Sequence, residues 1–212
     1  MATSTSRAMP WPNSPTGSAA FPLSPGGSDR SVTAFRKLTE RTIHEGVVVT
    51  MAVGTFTGPD GATFEREVVH HPGAVAIVAL DDAGSVTLVR QYRAAIDDLL
   101  LELPAGKLDV ADEPHERTAR RELAEEVGLE ADDWVELATF LNSPGFCDEV
   151  VRLYLARGLR PVAHDRQGVE ELAMTVETMS LTDVPARVVD GTLRDAKTII
   201  GLLAAREHLG VR

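Results

Sequence analysis

The 212-residue chain lacks the features that mark secreted and membrane proteins. It has one cysteine, Cys147, which excludes an internal disulfide and predicts a reducing, cytoplasmic setting. The longest apolar run, residues 74–80, is far shorter than the roughly 20 residues that a membrane span needs. The N-terminus has no apolar signal-peptide core, which also favours a cytoplasmic protein.

Positive charge is scarce as well, with 21 Lys and Arg against 32 Asp and Glu and a formal net charge of −11. Nucleic acids and anionic membranes are therefore not predicted as partners. An acidic protein that acts on a phosphate ester needs cations in its site, which favours a bound metal ion. Hydrophobic residues make up 43% of the chain, enough for a real core.

The chain divides into a tail and one domain. Residues 1–34 are rich in Ser, Thr, Pro, Gly and Ala without apolar periodicity, and are predicted to be a disordered tail. Residues 35–212 mix strand-like and helix-like patterns, which predicts a sheet-and-helix layer structure of the α/β or α+β class. Periodicity alone leaves the order of the strands open.

Local patterns place the individual elements. The turn at 58–61 joins two strands into a hairpin. An acidic helix is predicted to end at Gly128, with Asp112 or Glu113 as its cap and Pro114 in its first turn. Strands are predicted at 39–45, 47–57, 63–69, 74–80, 85–92, 99–103, 135–141, 150–156 and 172–180, and further helices at 182–189 and 196–209.

The most informative segment is RELAEEVGL at residues 121–129. It places Glu122, Glu125 and Glu126 within one narrow sector of a helix, because the helix repeats every 3.6 residues. Like charges at this spacing disfavour a helix slightly, and hard divalent cations, which take oxygen ligands, are the natural compensation. The alternative interpretation is an exposed acidic helix held by pairs such as Arg121–Glu125.

Residues 106–129 resemble the Nudix box, the catalytic loop-helix-loop of the Nudix hydrolases. The spacing from Gly106 to Glu113 is one residue longer than usual, and the extra residue falls in the loop before the helix. The resemblance implies the α/β/α Nudix sandwich with a mixed sheet over about residues 40–205. The matching positions are Gly106, Glu113, Arg121, Glu122, Leu123, Glu125, Glu126, Gly128 and Leu129.

The resemblance also implies a metal site. By motif position, Glu122 and Glu126 are direct ligands of Mg²⁺ and catalytic residues, Glu125 assists them, and the carbonyl of Ala105 is a further ligand. Mn²⁺ is the alternative metal. Such ions neutralise pyrophosphate oxygens and lower the pKa of a water that attacks phosphorus. Arg121 is expected to orient the carboxylates.

A general base must lie near the attacked phosphorus. In the ADP-ribose hydrolases of the family, it is a glutamate on a loop well after the box. The segment GVEE at 168–171 offers Glu170 and Glu171 directly before the strand predicted from residue 172, and Glu171 is favoured. A solvated loop without a catalytic role is the alternative for this pair.

The resemblance to the ADP-ribose pyrophosphatase subfamily, in its actinobacterial type, extends beyond the box. LELPAG at 101–106, QYR at 91–93 and SPGFCDE at 143–149 resemble segments of that subfamily. Pro144 lies 15 residues after Leu129, close to a proline typical of ADP-ribose activity. The longer spacing within the box resembles actinobacterial members.

This resemblance implies the substrate contacts. Arg93 would contact phosphate, Ser143 and Glu149 would contact the sugars, and Glu102 belongs to the same substrate-binding set. Ordinary alternatives are a surface salt bridge for Arg93 and a strand cap for Glu149.

The predicted function is Mg²⁺-dependent hydrolysis of ADP-ribose to AMP and ribose 5-phosphate. The alternatives are another nucleoside diphosphate derivative as substrate (an ADP-sugar, a sugar nucleotide or a dinucleotide) and a non-catalytic Nudix ligand sensor. Members of the subfamily resemble each other in being homodimers whose N-terminal strands pack across the partner. Residues 39–57 supply such strands, so a homodimer is predicted.

Overall fold

The structure is a computed structural model that describes residues 34–163, 166 and 169–211. The tail predicted over residues 1–34 lies outside the described residues, except for residue 34. The side chain of Glu170 also lies outside them. No helix in the described ranges combines the length and the apolar character that crossing a bilayer requires.

Ten strands and four α-helices make up the described part of the chain, with a 3₁₀ turn at Leu181–Asp183. The strands are β1 (Arg36–Glu45), β2 (Thr50–Thr57), β3 (Thr63–His70), β4 (Ala74–Leu80), β5 (Ser85–Arg93), β6 (Asp98–Glu102), β7 (Ala105–Lys107), β8 (Leu129–Leu141), β9 (Val150–Pro161) and β10 (Thr175–Ser180). The helices are α1 (His115–Val127), α2 (Val169–Ala173), α3 (Val184–Val189) and α4 (Ala196–Leu209).

Strand β4 is the centre of the larger sheet, whose order is β10-β5-β4-β9-β8, with β6 beside β5 and β7 beside β4. It runs parallel to β9 and antiparallel to β5 and β7. Successive strand side chains alternate between the faces of a sheet. Val75 and Ile77 therefore pack with Leu123 of α1, whereas Val78 packs with Leu202 of α4 on the other face. The predicted mixed-sheet sandwich between helical layers is confirmed.

Strands β1, β2 and β3 form a separate antiparallel sheet. The hairpin predicted around the turn at 58–61 is confirmed, although β2 begins only at Thr50. The reason is a turn before it, in which the amide of Gly46 donates to the carbonyl of Val49. All ten residues of β1 are exposed, among them Leu38 and Ile43, so this sheet presents apolar side chains to solvent.

Helix α1 ends as predicted, because Gly128 takes the left-handed conformation with φ 66°. The predicted cap at Asp112 or Glu113 was wrong. Pro114 holds the N-cap position, and no side chain there bonds a backbone amide. Glu113 accepts a hydrogen bond from Thr118 Oγ1 at 2.9 Å instead, and Asp112 adopts φ 60° in the preceding turn.

The single strand predicted over 172–180 was also wrong at its start. Helix α2 covers Val169–Ala173, and strand pairing with β5 begins only at Thr175. The amide of Met174 donates to the carbonyl of Glu171, which turns the chain before the strand. The apolar residues Leu172 and Met174 gave a strand-like pattern, but only Met174 is buried.

Candidate active site

Strand β7 lies directly against one face of α1. The amide of Ala105 donates to Glu126 Oε2 at 3.0 Å. A Cβ added at Gly106 would lie 2.0 Å from Cδ of Glu122, so only glycine leaves room for this glutamate. The pairing of β7 with β4 therefore brings the Ala105 backbone, Glu122 and Glu126 together at the end of a central strand.

Arg121 holds the acidic face of α1 together. Its Nη1 donates to Glu122 Oε1 at 2.8 Å and to Glu125 Oε2 at 3.0 Å, while its Nη2 lies 3.4 Å from Glu113 Oε2. Arg121 thus orients carboxylates, as its motif position predicts. The loop before the helix contains a left-handed turn at Asp112, and the helix starts after it at His115.

The two inner glutamates carry strongly perturbed carboxyl groups. Burial raises the pKa of Glu126 to about 8, the charges of Glu122 and Glu171 add to this rise, and the hydrogen bond from Ala105 opposes it. Burial also raises the pKa of Glu122 to about 7, with Arg121 acting in the opposite direction. Negative charge at this site is therefore incompletely compensated by the protein.

The chemistry of these residues fits a hard divalent cation. Within the described ranges, no three His, Cys, Asp and Glu side chains are arranged to hold a metal as they stand, and Arg121 is the cation that lies between Glu122 and Glu125. The donors are carboxylate oxygens, one of which lies against the backbone of Ala105, and oxygen donors are the kind that Mg²⁺ takes. A divalent cation would supply the compensation that the raised pKa values of Glu122 and Glu126 call for.

The structure brings Glu171 to the same site. Its charge contributes to the raised pKa of both Glu122 and Glu126. The backbone of Glu170 lies beside it in α2. Arg166 ties this region to the box helix, since its Nε donates to the Glu126 carbonyl at 2.8 Å and its Nη1 to the Met174 carbonyl at 2.9 Å. Sequence reasoning missed Arg166, whose contacts follow no local pattern.

Arg93 and Glu102 form a second part of the site. Arg93 Nε and Nη2 donate to the two oxygens of Glu102 at 2.6 and 2.7 Å. Glu102 is fully buried, whereas 41% of the Arg93 side chain is exposed. In this structure Glu102 therefore acts on the orientation of Arg93. Lys197 also binds Glu102 and lies 2.9 Å from Asp195, and neither residue was found from the sequence.

Ser143 and Glu149 make hydrogen bonds within residues 142–149. The Ser143 carbonyl accepts from the amides of Phe146 and Cys147, and Glu149 Oε2 accepts from Asn142 Nδ2 at 2.8 Å. No hydrogen bond or ion pair among the described residues links Ser143 or Glu149 to Glu122 or Glu126. The loop at 143–149 is instead joined to β3 through Val69 and His70.

Comparison with known proteins identifies the family. Residues 70–198 match the model of the NUDIX domain. The chain belongs to the Nudix family. This Nudix chain is 44% identical over 170 residues to the ADP-ribose pyrophosphatase of Mycobacterium tuberculosis, an alignment that covers 80% of the chain and 82% of the relative. It is 37% identical over 163 residues to the ADP-ribose pyrophosphatase of Bacillus subtilis, covering 77% of the chain and 88% of the relative.

A solved structure shares the fold. A crystal structure described as an ADP compounds hydrolase superposes with a TM-score of 0.75 at 22% sequence identity. The match covers 86% of this Nudix chain and 97% of the other. The family and fold that the box predicts are therefore confirmed.

Proposed function

We propose that this Nudix protein is a cytoplasmic, Mg²⁺-dependent pyrophosphatase that hydrolyses ADP-ribose to AMP and ribose 5-phosphate. The observation that carries the proposal is the cluster of Glu122, Glu126 and Glu171, whose charges act on one another near the partly exposed side chain of Arg93. The two relatives at 44% and 37% identity, both named ADP-ribose pyrophosphatase, support this substrate over other nucleoside diphosphate derivatives.

The proposed cation site consists of Glu122, Glu126 and the carbonyl of Ala105, with Glu125 assisting. Mg²⁺, or Mn²⁺ as the alternative, supplies charge neutralisation at the diphosphate and an acidified water. Arg121 keeps Glu122 and Glu125 close together through hydrogen bonds to both while no cation is bound to them.

Two kinds of side chain act in the proposed hydrolysis, a general base and a cation that contacts phosphate. Glu171 accepts a proton from water as the water oxygen forms its bond to phosphorus, and Glu170 is the alternative base. The bond from that phosphorus to the bridging oxygen breaks, and the second phosphate leaves with the electron pair. Arg93 stabilises the negative phosphate oxygens, held in place by Glu102.

The sugars are proposed to contact the loop at 143–149. Ser143 offers a hydroxyl group and Glu149 a carboxylate, which suit the hydroxyl groups of ribose. The hydrogen bond from Asn142 already fixes one oxygen of Glu149.

Product analysis tests the proposal. AMP release is measured with ADP-ribose, ADP-sugars, other sugar nucleotides and dinucleotides, and ADP-ribose should give the highest kcat/KM. Hydrolysis in ¹⁸O-labelled water would identify the attacked phosphorus. A higher kcat/KM for another compound would overturn the substrate, and no release from any compound would favour a ligand sensor.

The base assignment has its own test. Replacing Glu171 with Gln should lower kcat by about 10²–10⁴-fold, the usual contribution of a general base. Glu170→Gln is the matched comparison, one residue away on the same helix. A larger loss in Glu170→Gln than in Glu171→Gln would move the role to Glu170.

We also propose that the domain formed by residues 35–212 is a homodimer built on its N-terminal sheet. The exposed apolar side chains of β1 and of the turn after it, such as Leu38, Ile43 and Val47, support an interface with a second copy. Light scattering should give twice the chain mass of 22.8 kDa. A monomeric mass at micromolar concentration would reject the dimer.

A further inference from the structure

We infer that Lys197 is a positioning residue for recognition of the substrate's diphosphate, acting through the buried Glu102 on Arg93. The inference rests on the proposed function, because there Arg93 contacts phosphate. Lys197 itself is not assigned any contact with the substrate.

The starting point is the enclosure of Glu102. Its side chain is fully buried, and both of its oxygens accept hydrogen bonds from cations. A buried carboxylate is costly unless it is paired and hydrogen-bonded. Burial raises the pKa of Glu102, but Arg93 and Lys197 together outweigh it and hold the pKa below its ordinary value. Glu102 thus stays charged because two cations face it.

Lys197 is itself held in place by the start of α4. Asp195 caps this helix by accepting from the amide of Thr198 at 2.9 Å and from its hydroxyl at 2.6 Å. The Thr198 hydroxyl also accepts from the amide of Leu103 at 2.9 Å. This hydrogen bond joins the first turn of α4 to Leu103, the residue after Glu102. Lys197 lies in that turn, and only 16% of its side chain is exposed.

Arg93 is the element of this network that faces outward. Glu102 occupies the guanidinium edge formed by Nε and Nη2, which fixes the plane of the group and turns the Nη1 side away from Glu102. The charges of Asp195 and Glu126 both act on Arg93. Arg93 therefore lies close enough to Glu126 and to the Asp195 cap for both charges to act on it.

Lys197 acts on Arg93 in two ways. It shares the charge of Glu102, and its 2.9 Å ion pair with Asp195 keeps that second carboxylate occupied. Without Lys197, Asp195 would lose its ion pair and keep only its hydrogen bonds to Thr198, and Arg93 would be left to balance the charge of Glu102 by itself. Its guanidinium would then be drawn toward protein carboxylates and away from a bound diphosphate.

Lys197→Met should therefore weaken diphosphate binding about tenfold, raising KM with little change in kcat, as expected when a binding interaction shared by ground and transition states is lost. Lys197→Arg should retain most of the affinity, because it keeps the charge. Arg187→Met is the control. Arg187 is a half-exposed cation of helix α3 that pairs with Asp190 at 3.1 Å, and among the described residues neither of them is hydrogen-bonded or ion-paired to Arg93 or Glu102.

The decisive experiment is a double-mutant cycle on the dissociation constant of inorganic pyrophosphate, measured by calorimetry in the presence of Mg²⁺. The four proteins are the wild type, Lys197→Met, Arg93→Gln and the double variant. If Lys197 acts through Arg93, Lys197→Met should have no further effect in the Arg93→Gln background. Equal losses in both backgrounds would overturn the inference, because a merely structural role predicts them.

Two further outcomes separate this inference from the proposed function. Failure to hydrolyse ADP-ribose, combined with pyrophosphate affinities that follow the cycle, would remove the proposed substrate and leave the role of Lys197 standing. Absence of pyrophosphate binding in the wild type, or unchanged binding in Lys197→Met, would overturn the inference. If Lys197→Met does not fold, Lys197→Gln gives the same comparison.

Discussion

The backbone amide of Ala105 donates a hydrogen bond to Glu126 Oε2 across 3.0 Å, which joins β7 to the second half of α1. One oxygen of Glu126 is thereby fixed by the protein backbone, while Arg166 binds the carbonyl of the same residue. Hydrogen bonds thus hold both the main chain and the side chain of Glu126. Its position is set before any ligand arrives.

Replacing Glu126 with Gln keeps an oxygen that can accept from Ala105 but removes the negative charge. We expect turnover to fall by about 100-fold or more. Mutating residues that only orient metal ligands typically costs about 10- to 100-fold, and a direct ligand should matter at least as much. The melting temperature of the metal-free variant should not fall below that of the wild type, because glutamine removes a carboxyl group whose charged form burial disfavours. Glu116→Gln is the control, since Glu116 lies on the same helix and pairs with Arg120 at a half-exposed position. Unchanged turnover in Glu126→Gln would refute the ligand assignment.

Gly106→Ala tests the close approach of β7 and α1. The new Cβ would lie 2.0 Å from Cδ of Glu122, so the flexible end of this glutamate must move. Because displacing a catalytic group by about 1 Å can cost about 100-fold, activity should fall by about tenfold or more. The free energy of unfolding should change little, since the three nearest atoms all belong to the flexible Glu122 side chain. Full activity with unchanged metal affinity would contradict this account.

The metal-free protein should lose stability as pH rises. The folded-state pKa values of about 7 for Glu122 and about 8 for Glu126 lie above the ordinary value of 4.5. The folded state therefore binds more protons than the unfolded state over this interval, and its stability falls from about pH 4.5 to about pH 8. Mg²⁺ binds ionised carboxylates, so its stabilising effect should grow over the same interval. Melting temperatures at about pH 6 and pH 8, with and without Mg²⁺, check this.

A second pH effect is expected at His70, where hydrogen bonds to carboxylates, rather than burial, raise the pKa. Its Nδ1 lies 2.6 Å from Asp148 Oδ2 and its Nε2 lies 3.1 Å from Glu40 Oε1. Carboxylates only accept hydrogen bonds, so this geometry requires both ring nitrogens to be protonated. The hydrogen bond with Asp148 chiefly raises the pKa of His70, with Glu40 adding to it and burial opposing it.

The stability that His70 contributes is present in full below pH 6.5 and is lost as pH rises through the raised pKa of the folded state. His70→Gln should therefore destabilise the protein more at about pH 6 than at about pH 9, because glutamine carries no titratable charge. Urea unfolding at both pH values measures the difference. An equal loss at both would show that His70 is not a cation in the folded protein.

Local patterns in the sequence were sufficient for the elements that carry their own signals. The apolar run at β4, the glycine that ends α1 and the periodic helix α4 were predicted with their observed positions. Helix α2 was missed because Leu172 and Met174 imitate a strand. Lys197 was missed because its partner Glu102 is 95 positions away in the chain, and no spacing rule joins them.

The enclosure of Glu102 also restricts how this protein can change during evolution. Losing Arg93 or Lys197 alone would leave the buried Glu102 carboxylate with too little opposing charge. Replacing all three residues by apolar ones would leave no buried charge. In an alignment of relatives, these three positions should be retained together or substituted together, and singly altered homologues should be rare.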